Sequence, residues 1–208
     1  MTRPSAPPLE FWFEFGSNYS YLALMRIEAL ARAAGVPLLW RPFLLGPVFR
    51  DLGWATSPFV LQAAKGRYMW RDMERQAAKY ELPWRRPSVF PRTAVLPMRV
   101  ATLGAQEEWM GEFCRRVMRL NWVEDREIDH PEAVREALAG LVADPDAVLA
   151  AALEPGNKLR LRANTERAGS LGIFGAPSFF VEDEMFWGND RLDDAIACAA
   201  AVRQLPDI

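Results

Sequence analysis

The spacing of hydrophobic positions predicts a strand, a helix and a second strand near the start of the chain. Residues 9–15 (LEFWFEF) and 37–43 (PLLWRPF) are short apolar runs typical of strands. Between them, SYLALMRIEALARAAG carries apolar side chains at helical intervals and ends at Gly35, a residue type favoured just after a helix. Two strands joined through one helix form a crossover, which is right-handed when the strands are parallel neighbours.

Beyond Pro47 the pattern becomes helical and stays helical through the middle of the chain. Apolar residues recur at helical spacing in four segments, which are separated by proline-rich joints such as LPWRRPSVFPR. No strand pattern interrupts this block, so we predict an all-helical insertion. The four segments are residues 59–81, 93–104, 105–127 and 131–140.

Strand patterns return only near the end of the chain. A further helix is predicted over residues 157–173, followed by two β-rich runs, APSFFVED and EMFWG, and by a last helix over residues 191–205. The simplest architecture that uses these elements is a small α/β domain split by the helical block. We therefore expect an α/β domain formed by residues 9–45 and 160–208, and a helical insertion domain over residues 46–159.

The composition suits one folded unit of 208 residues and argues against several classes of function. Hydrophobic residues make up 50% of the chain and charged residues 25%, which permits a sizeable core. The net charge is −2 and the aromatic residues do not alternate with a basic stripe, so nucleic-acid binding is not expected. MTRPSAPP lacks the apolar run of a signal peptide, and no segment approaches the ~20 apolar residues of a membrane span. We therefore expect a soluble, cytoplasmic protein without a membrane partner.

Few residues are suited to metal binding or to a catalytic triad. The two cysteines, Cys114 and Cys198, are far apart in sequence and form no CxxC motif, so neither a disulfide framework nor a metal site is expected. The single histidine, His130, precedes Pro131 at a loop that leads into a predicted helix. A Ser-His-Asp triad can be drawn with it, but a capping or surface role fits this position better.

Ser17, in the stretch FGSNYSYLA, admits two interpretations at the start of the first predicted helix. Its hydroxyl can cap the helix by accepting a hydrogen bond from a free amide of the first turn. It can also belong to a working site, because amides at a helix start carry partial positive charge and favour a bound anion. The residues alone leave both interpretations open.

Five short motifs, taken together and in order, resemble those of a known family. They are FGSNYSYLA, RPFLLGPVF, KGRYM, FGAPSFFV and FWGNDRLD, and they cover both ends of the chain and the first helix of the insertion. In order and spacing they are similar to the signatures of the 2-hydroxychromene-2-carboxylate isomerases and of the related kappa-class glutathione transferases. The order of elements resembles the DsbA-type branch of the thioredoxin-like fold. The resemblance therefore implies a DsbA-type α/β domain interrupted by an all-helical insertion.

The resemblance implies that Ser17 is catalytic and that glutathione is the cofactor. Redox members of the fold begin the first helix with CxxC, whereas GSNYS offers no thiol, so the sulfur must come from a bound molecule. In the family, a serine at this position holds the sulfur of glutathione. The resemblance also implies a cis bond before Pro177, with the main chain of Ala176 available to the cysteinyl part of glutathione. Without the resemblance, this proline would simply mark a strand entrance.

Further glutathione contacts are implied by the same resemblance. Asn189 and Asp190, in WGNDRL, are expected to hold the γ-glutamyl end, because helix amides suit its carboxylate and a carboxylate suits its ammonium. Taken alone, this segment predicts a turn and a helix cap. Lys65, in KGRYM, matches a lysine that reaches glutathione in relatives, although an exposed lysine is usually only solvated. Arg50 is a further candidate for a contact with the substrate.

The chain also departs from the family pattern. Trp54 and Thr93 stand where relatives commonly have asparagine, and Asn18 stands where proline is frequent. We expect the two missing amides to weaken glutathione binding or to change the substrate. The chain is rich in tryptophan, most of which belongs in the core, and Trp54 and Trp84 are the candidates for a substrate pocket.

Three functions remain open from the sequence. The first is a glutathione-dependent cis–trans isomerase that acts on 2-hydroxychromene-2-carboxylate or a similar aromatic intermediate. The second is a kappa-like transferase or peroxidase that uses the same thiolate on another electrophile. The third is a glutathione-binding module without turnover, which the missing asparagines suggest. Thiol–disulfide exchange fits least, and because relatives are often dimers, a homodimer is expected.

Overall fold

The computed structural model describes residues 7–202, in which four strands form one mixed sheet. The central strand β1 is parallel to β2 and antiparallel to β3, and β4 is antiparallel to β3 at the edge. The sheet order is β2-β1-β3-β4. The opening crossover and the closing pair of strands are therefore present as predicted. The strands are β1 (Leu9–Phe13), β2 (Leu38–Pro42), β3 (Ser178–Val181) and β4 (Glu184–Trp187).

Helices account for most of the remaining residues between 7 and 202. A short 3₁₀ turn, Asn189–Arg191, precedes the last of them. The helices are α1 (Asn18–Ala34), α2 (Leu45–Asp51), α3 (Pro58–Leu61), α4 (Ala63–Lys79), α5 (Val95–Leu103), α6 (Met110–Trp122), α7 (Pro131–Leu138), α8 (Pro145–Leu153), α9 (Pro155–Ser170) and α10 (Leu192–Val202).

Both faces of β1 are buried, which explains why its sequence is apolar at nearly every position. On one face Phe11 lies between Trp40 and Phe179, with ring centroids 5.6 Å and 5.5 Å away. On the other face the Trp12 ring packs edge-on against Phe43 at 6.1 Å, in a second cluster that includes side chains of α2 and α9. A strand covered on both sides carries a continuous hydrophobic run rather than an alternating one.

The two ends of α1 follow from residues that the sequence singled out. Ser17 has extended backbone angles and its side chain accepts a hydrogen bond from the Ser20 amide, which makes it the N-cap. Gly35 adopts the left-handed conformation with φ of 66°, where a side chain would be strained, and it ends the helix. The predicted stop at Gly35 is therefore confirmed.

The prediction of one continuous helix over residues 59–81 is wrong. The structure has the short α3, a break at Gln62 with φ of −112° and ψ of 92°, and then α4. The break lets the Phe59 carbonyl lie directly against Gly66, where any Cβ would collide with it. Hydrophobic spacing continues across the break, so periodicity alone could not reveal it.

Other boundaries differ from the predictions. The segment 105–127 becomes helical only at Met110, because the Trp109 ring folds back against Gly104 and the residues between them form turns. The helices α2 and α8 were not predicted, although Asp144 followed by proline is a recognisable start signal for α8. The last three residues of the predicted terminal helix, 203–205, lie outside the described residues, as does most of MTRPSAPP.

One hydrophobic cluster joins the sheet to the helical block. It contains Phe11 and Phe13 of β1 together with Met73 of α4, Met98 of α5 and Phe113 of α6. The proposed division into two domains at residues 45/46 and 159/160 stays a prediction. None of the helices described between residues 7 and 202 is long and apolar enough to cross a bilayer.

Candidate functional site

A cavity of about 1370 Å³ opens beyond the carboxyl end of β1. It is bordered by segments from distant parts of the sequence: the β1–α1 loop, α2 to α4, residues 90–95, the loop before β3, and the β4–α10 connection. Sites for one small ligand usually measure about 300–1,000 Å³. The cavity therefore exceeds the volume that a single small ligand needs.

Ser17 meets the loop before β3 inside this cavity. Its Oγ donates a hydrogen bond to the Ala176 carbonyl oxygen at 2.8 Å and accepts one from the Ser20 amide at 3.2 Å. The Ala176–Pro177 peptide bond is cis, as the resemblance implied. The first helix and the loop before β3 are thus joined by a hydrogen bond through Ser17.

The observed hydrogen bonds of Ser17 show that the capping interpretation is correct as far as it goes. A hydroxyl has one proton and two lone pairs, so a hydroxyl that donates to Ala176 and accepts from Ser20 retains one free lone pair. To donate to a bound sulfur, the hydroxyl must rotate away from the Ala176 carbonyl. The cap and an anion site are therefore compatible, but Ala176 competes for the proton.

Asn18 is a polar residue of the site whose side chain lacks a hydrogen bond. It is the first residue of α1, it is only 2% exposed, and it borders the cavity. Its side-chain Nδ2 is buried and has no hydrogen-bond partner among the described residues. Buried polar atoms are nearly always hydrogen-bonded, and at this position beside the helix start the Nδ2 group can donate to a molecule in the cavity.

The structure brings Asn189 and Asp190 to the cavity but gives them different surroundings. The Asn189 side chain is buried, and its oxygen accepts a hydrogen bond from the Arg26 guanidinium at 2.8 Å. The Asp190 carboxylate is exposed and pairs with Arg191 at 3.2 Å. Asn189 therefore supports the turn with its side-chain oxygen, whereas Asp190 presents its carboxylate at the cavity mouth.

Lys65, Arg50 and Trp54 also border the cavity. The Lys65 ammonium is 6.0 Å from the centre of the Phe59 ring, and no carboxylate of the described residues pairs with it. Trp54 packs against Phe49 with ring centroids 5.7 Å apart. This wall therefore combines aromatic surface with positive charge.

A second aromatic pair stands at the mouth of the cavity. Phe174 and Trp187 lie 4.7 Å apart between ring centroids and are both exposed. Sequence reasoning placed Trp187 in the WGNDRL motif without assigning it a contact. Exposed, paired aromatic rings beside a cavity offer a surface on which a flat aromatic molecule can stack.

Two predicted site residues do not border the cavity. Trp84 packs against Trp70 with ring centroids 6.3 Å apart, as part of the layer around the main core. This position removes the geometric basis for its predicted contact with substrate. Pro177 is likewise not among the lining residues, whereas Ala176, to which it is joined by the cis bond, borders the cavity.

Arg92 and Thr93 occupy the family's missing-asparagine segment, and both border the cavity. The Arg92 guanidinium is buried, donating to Asp125 at 2.5 Å and to the Asn121 side chain at 2.9 Å. The Asn121 amide in turn donates to the Phe15 carbonyl at 3.1 Å. Hydrogen bonds therefore connect Arg92, through Asn121, to the loop that carries Ser17.

Glu14 is a candidate that sequence reasoning missed. It lies in the turn between β1 and Ser17 and borders the cavity. Burial raises the pKa of its carboxyl group to about 8; the Gly16 amide opposes this shift, and the Asp129 carboxylate adds to it. The available signal was a second acidic residue within the apolar run LEFWFEF, two positions before Gly16.

Tyr19 and Asp72 form another polar pair in the cavity wall that the sequence did not reveal. The Tyr19 hydroxyl donates to the Asp72 carboxylate at 2.8 Å. Burial, together with this hydrogen bond, raises the pKa of Tyr19, so the phenol stays protonated. In the described part of the chain, no group of three or more His, Cys, Asp or Glu residues is placed to hold a metal ion.

Comparison with known proteins agrees with this geometry. A family model described as a DSBA-like thioredoxin domain matches residues 8–196. The chain is 32% identical over 187 residues to a 2-hydroxychromene-2-carboxylate isomerase of Sphingobium xenophagum, covering 89% of this chain and 94% of the relative. It is 24% identical over 218 residues to glutathione S-transferase kappa 1 of Caenorhabditis elegans, covering 98% and 96% of the two chains.

Among solved structures, that of a 2-hydroxychromene-2-carboxylate isomerase matches with a TM-score of 0.81 at 25% identity, covering 93% of this chain and 95% of the other. The sheet order and the matched family model define a DsbA-like thioredoxin fold. The chain belongs to the 2-hydroxychromene-2-carboxylate isomerase family, with kappa-class glutathione transferases as relatives. The predicted family and fold class are confirmed, and the relatives support an enzyme related to this isomerase.

Proposed function

We propose that the protein is a glutathione-dependent cis–trans isomerase of 2-hydroxychromene-2-carboxylate or a closely similar intermediate of aromatic catabolism. The observation that carries the proposal is the position of Ser17, which opens α1 in a large cavity and lies 2.8 Å from the Ala176 carbonyl. The isomerase named among the relatives supports the substrate class, and the kappa transferase supports the cofactor.

The residues around the cavity fit glutathione at both of its ends. At the sulfur end, Ser17 and the amides that begin α1 favour an anion, and the unpartnered Asn18 Nδ2 lies in the same turn. At the glutamyl end, the Asp190 carboxylate suits an ammonium group. The Lys65 ammonium suits a carboxylate, either that of the glycyl end or that of the substrate.

The chain's own contribution to the reaction is mainly binding and electrostatics. When bound, glutathione supplies a sulfur nucleophile that adds reversibly to a conjugated double bond, so that the bond can rotate before the sulfur leaves. Ser17 and the α1 amides lower the pKa of the thiol and orient the sulfur. The Ala176 main chain lies opposite Ser17 and aligns the cysteinyl part. The volume of about 1370 Å³ leaves space for an aromatic substrate beside glutathione.

The proposal is tested by Ser17→Ala, which leaves the cavity intact but removes the hydroxyl. The pKa of bound glutathione is measured from thiolate absorbance, and turnover is measured on 2-hydroxychromene-2-carboxylate. In the wild-type protein the thiol should ionise below its free pKa; in the variant this shift should shrink and turnover should fall by about 10²–10³-fold. Ser170→Ala is the matched control, because Ser170 bonds only the Arg167 carbonyl at the exposed end of α9. Equal turnover of Ser17→Ala and wild type would refute the role of Ser17.

A kappa-like transferase or peroxidase is the second candidate function. The observation that favours it is the kappa-class relative, which matches 98% of this chain. A transferase or peroxidase of this kind uses the same bound thiolate to attack a different electrophile. Activity on halogenated aromatics or hydroperoxides, without activity on the chromene carboxylate, would select it. Glutathione binding without thiol ionisation or any turnover would instead select a binding module.

The cellular location and the oligomeric state of the protein belong to the same proposal. Cys114 and Cys198 are free thiols, which suits the reducing cytoplasm where glutathione is available. A homodimer is proposed from the family alone. Sedimentation equilibrium at several protein concentrations decides between a dimer and a monomer.

A further inference from the structure

Glu14 occupies a position that the proposed thiolate chemistry does not yet use. Its main-chain carbonyl accepts a hydrogen bond from the Ser17 amide at 3.1 Å, so the two residues close one tight turn. Its carboxyl group lies over Gly16, where a Cβ would be 3.1 Å from Glu14 Oε2 and 2.8 Å from the Arg92 carbonyl oxygen. Only glycine at position 16 permits this approach, which holds the carboxyl group beside the catalytic turn.

The Glu14 carboxyl group is not neutralised by a cation. Among the described residues, several Arg side chains pair with other carboxylates, and none of these ion pairs includes Glu14. The buried guanidinium of Arg92, a residue that also borders the cavity, is directed to Asp125 and Asn121. The Glu14 side chain is half-buried, and a carboxyl group that is partly shielded from water and has no cation beside it keeps its proton more readily than one in water.

We propose that Glu14 is the proton carrier of the site, which takes the proton from the glutathione thiol and delivers it to the substrate. This inference rests on the proposed function. Its geometric basis is that Glu14 and Ser17 form one turn and border the same cavity, and that no cation holds the carboxylate in its charged form.

The proton balance closes within the site. The Glu14 carboxylate accepts the thiol proton and becomes a carboxylic acid. As the carbon–sulfur bond forms, the π electron pair of the double bond moves towards the conjugated carbonyl oxygen, and Glu14 donates its proton to that oxygen. In the return step Glu14 recovers the proton, the carbon–sulfur bond breaks, the double bond re-forms, and the proton returns to sulfur. No external acid, base or redox partner is consumed.

The acidity of Glu14 suits this task. Its pKa of about 8 lies close to the ~8.5 of a free thiol, and because Ser17 and the α1 amides lower the pKa of the bound thiol, transfer of the proton from sulfur to Glu14 is favoured. The Asp129 carboxylate acts on Glu14 directly. Other titratable or charged groups that border the cavity are Tyr19, Arg50, Lys65, Tyr68, Asp72, Arg92, Asp190 and Arg191.

The first test needs no activity. Between the unfolded pKa of about 4.3 and the folded pKa of about 8, the folded wild-type protein binds one more proton at Glu14 than the unfolded chain does. Glu14 therefore costs stability as the pH rises through this range. Glu14→Gln has no proton to lose, so its stability relative to wild type should increase from pH 4 to pH 8 and then level off. Stability curves that run parallel over this range would overturn the proposal.

The second test is the pH profile of kcat/KM. The reactive state holds one proton, which passes between the thiol and Glu14, so in the wild-type protein the profile should be bell-shaped, with an alkaline limb above about pH 8, where Glu14 no longer holds the proton it must donate. Glu14→Gln should lose this alkaline limb and about 10²–10⁴-fold in kcat, while Glu14→Asp should restore part of both. Glu10→Gln is the matched control, since Glu10 lies on the preceding strand β1 but pairs with Arg41.

The outcomes separate this inference from the proposed function. A wild-type protein that turns over the substrate while Glu14→Gln keeps the same rate and pH profile would overturn the role of Glu14 alone. A wild-type protein that fails to bind glutathione would overturn both. Glutathione binding in which the thiol pKa is identical in wild type and Glu14→Gln would likewise refute proton exchange between the two groups.

Discussion

Ser17 shows how one side chain can serve the fold and the site together. As N-cap it satisfies the Ser20 amide, and through its own proton it binds the Ala176 carbonyl across 159 positions of sequence. The local role was readable from the sequence because a cap depends only on its near neighbours. The contact with Ala176 was not, because it depends on where β3 joins the sheet.

At the next position we predict that Asn18→Pro is tolerated by the fold but weakens the site. Proline is favoured at the first position of a helix, and Ser17 already has the extended ψ of 118° that a following proline requires. The substitution removes the Asn18 amide proton and the unpartnered Nδ2. We expect an unchanged or higher melting temperature with several-fold weaker glutathione binding, measured by calorimetry. Unchanged affinity would show that Asn18 does not contact the ligand.

At the scale of elements, the β1–α1 turn is held from outside by the end of α6. Asn121 and the Trp122 indole both donate to the Phe15 carbonyl at 3.1 Å, and Arg92 fixes Asn121. These polar residues stand in segments that the sequence marked only as helix and loop. Thr93 stands where relatives commonly have asparagine, and the neighbouring Arg92 has a structural role.

We predict that Asp125→Asn destabilises this arrangement in a pH-dependent way. The hydrogen bond from Arg92 and the Ser88 amide lower the pKa of Asp125 to about 2, below the ~3.9 of a free aspartate. A lowered pKa contributes stability above about pH 4 and loses it as the pH falls towards 2. The variant should therefore unfold several degrees earlier at pH 7, and the difference should shrink on acidification.

The measurement is thermal unfolding of both proteins between pH 2 and pH 7. Asp183→Asn serves as the control, because Asp183 lies exposed in the turn between β3 and β4. A difference that stays constant over the whole pH range would contradict the assigned pKa shift.

At the scale of the whole molecule, the cavity collects residues from nearly the full length of the chain. Glu14, Lys65, Thr93, Ala176 and Asp190 all border it. The two cysteines do not, since Cys114 is buried in the main core and Cys198 lies on α10. Any thiol chemistry in the cavity must therefore come from a bound molecule.

We accordingly predict that the combined variant Cys114→Ala, Cys198→Ser keeps its glutathione-dependent turnover, and that the wild-type protein does not reduce insulin disulfides. Burial raises the pKa of the Cys114 thiol, which makes it a poor nucleophile. Both activities are measured by absorbance or turbidity assays. If the wild-type protein reduced insulin and the variant did not, the prediction would be wrong and the protein would act as a thiol–disulfide oxidoreductase.

The sequence by itself determined the strand–helix–strand opening, the helical middle, the strand pair at the end and the stop at Gly35, and it made Ser17 a candidate N-cap. These features depend on periodicity and on caps, which are local properties of the chain. It did not determine the break at Gln62 or the start of α6 at Met110, because hydrophobic periodicity does not register the contacts of the Phe59 carbonyl with Gly66 and of the Trp109 ring with Gly104.

Only the tertiary structure determined which of the predicted site residues lie close together. It placed Ala176 against Ser17, turned the Asn189 oxygen towards Arg26, and left Trp84 outside the cavity. It also gave Glu14 a chemical role to consider, because the pKa of a carboxyl group depends on burial and on neighbouring charges. Those conditions come from Gly16, Asp129 and the cavity wall, and they exist only once distant segments have packed together.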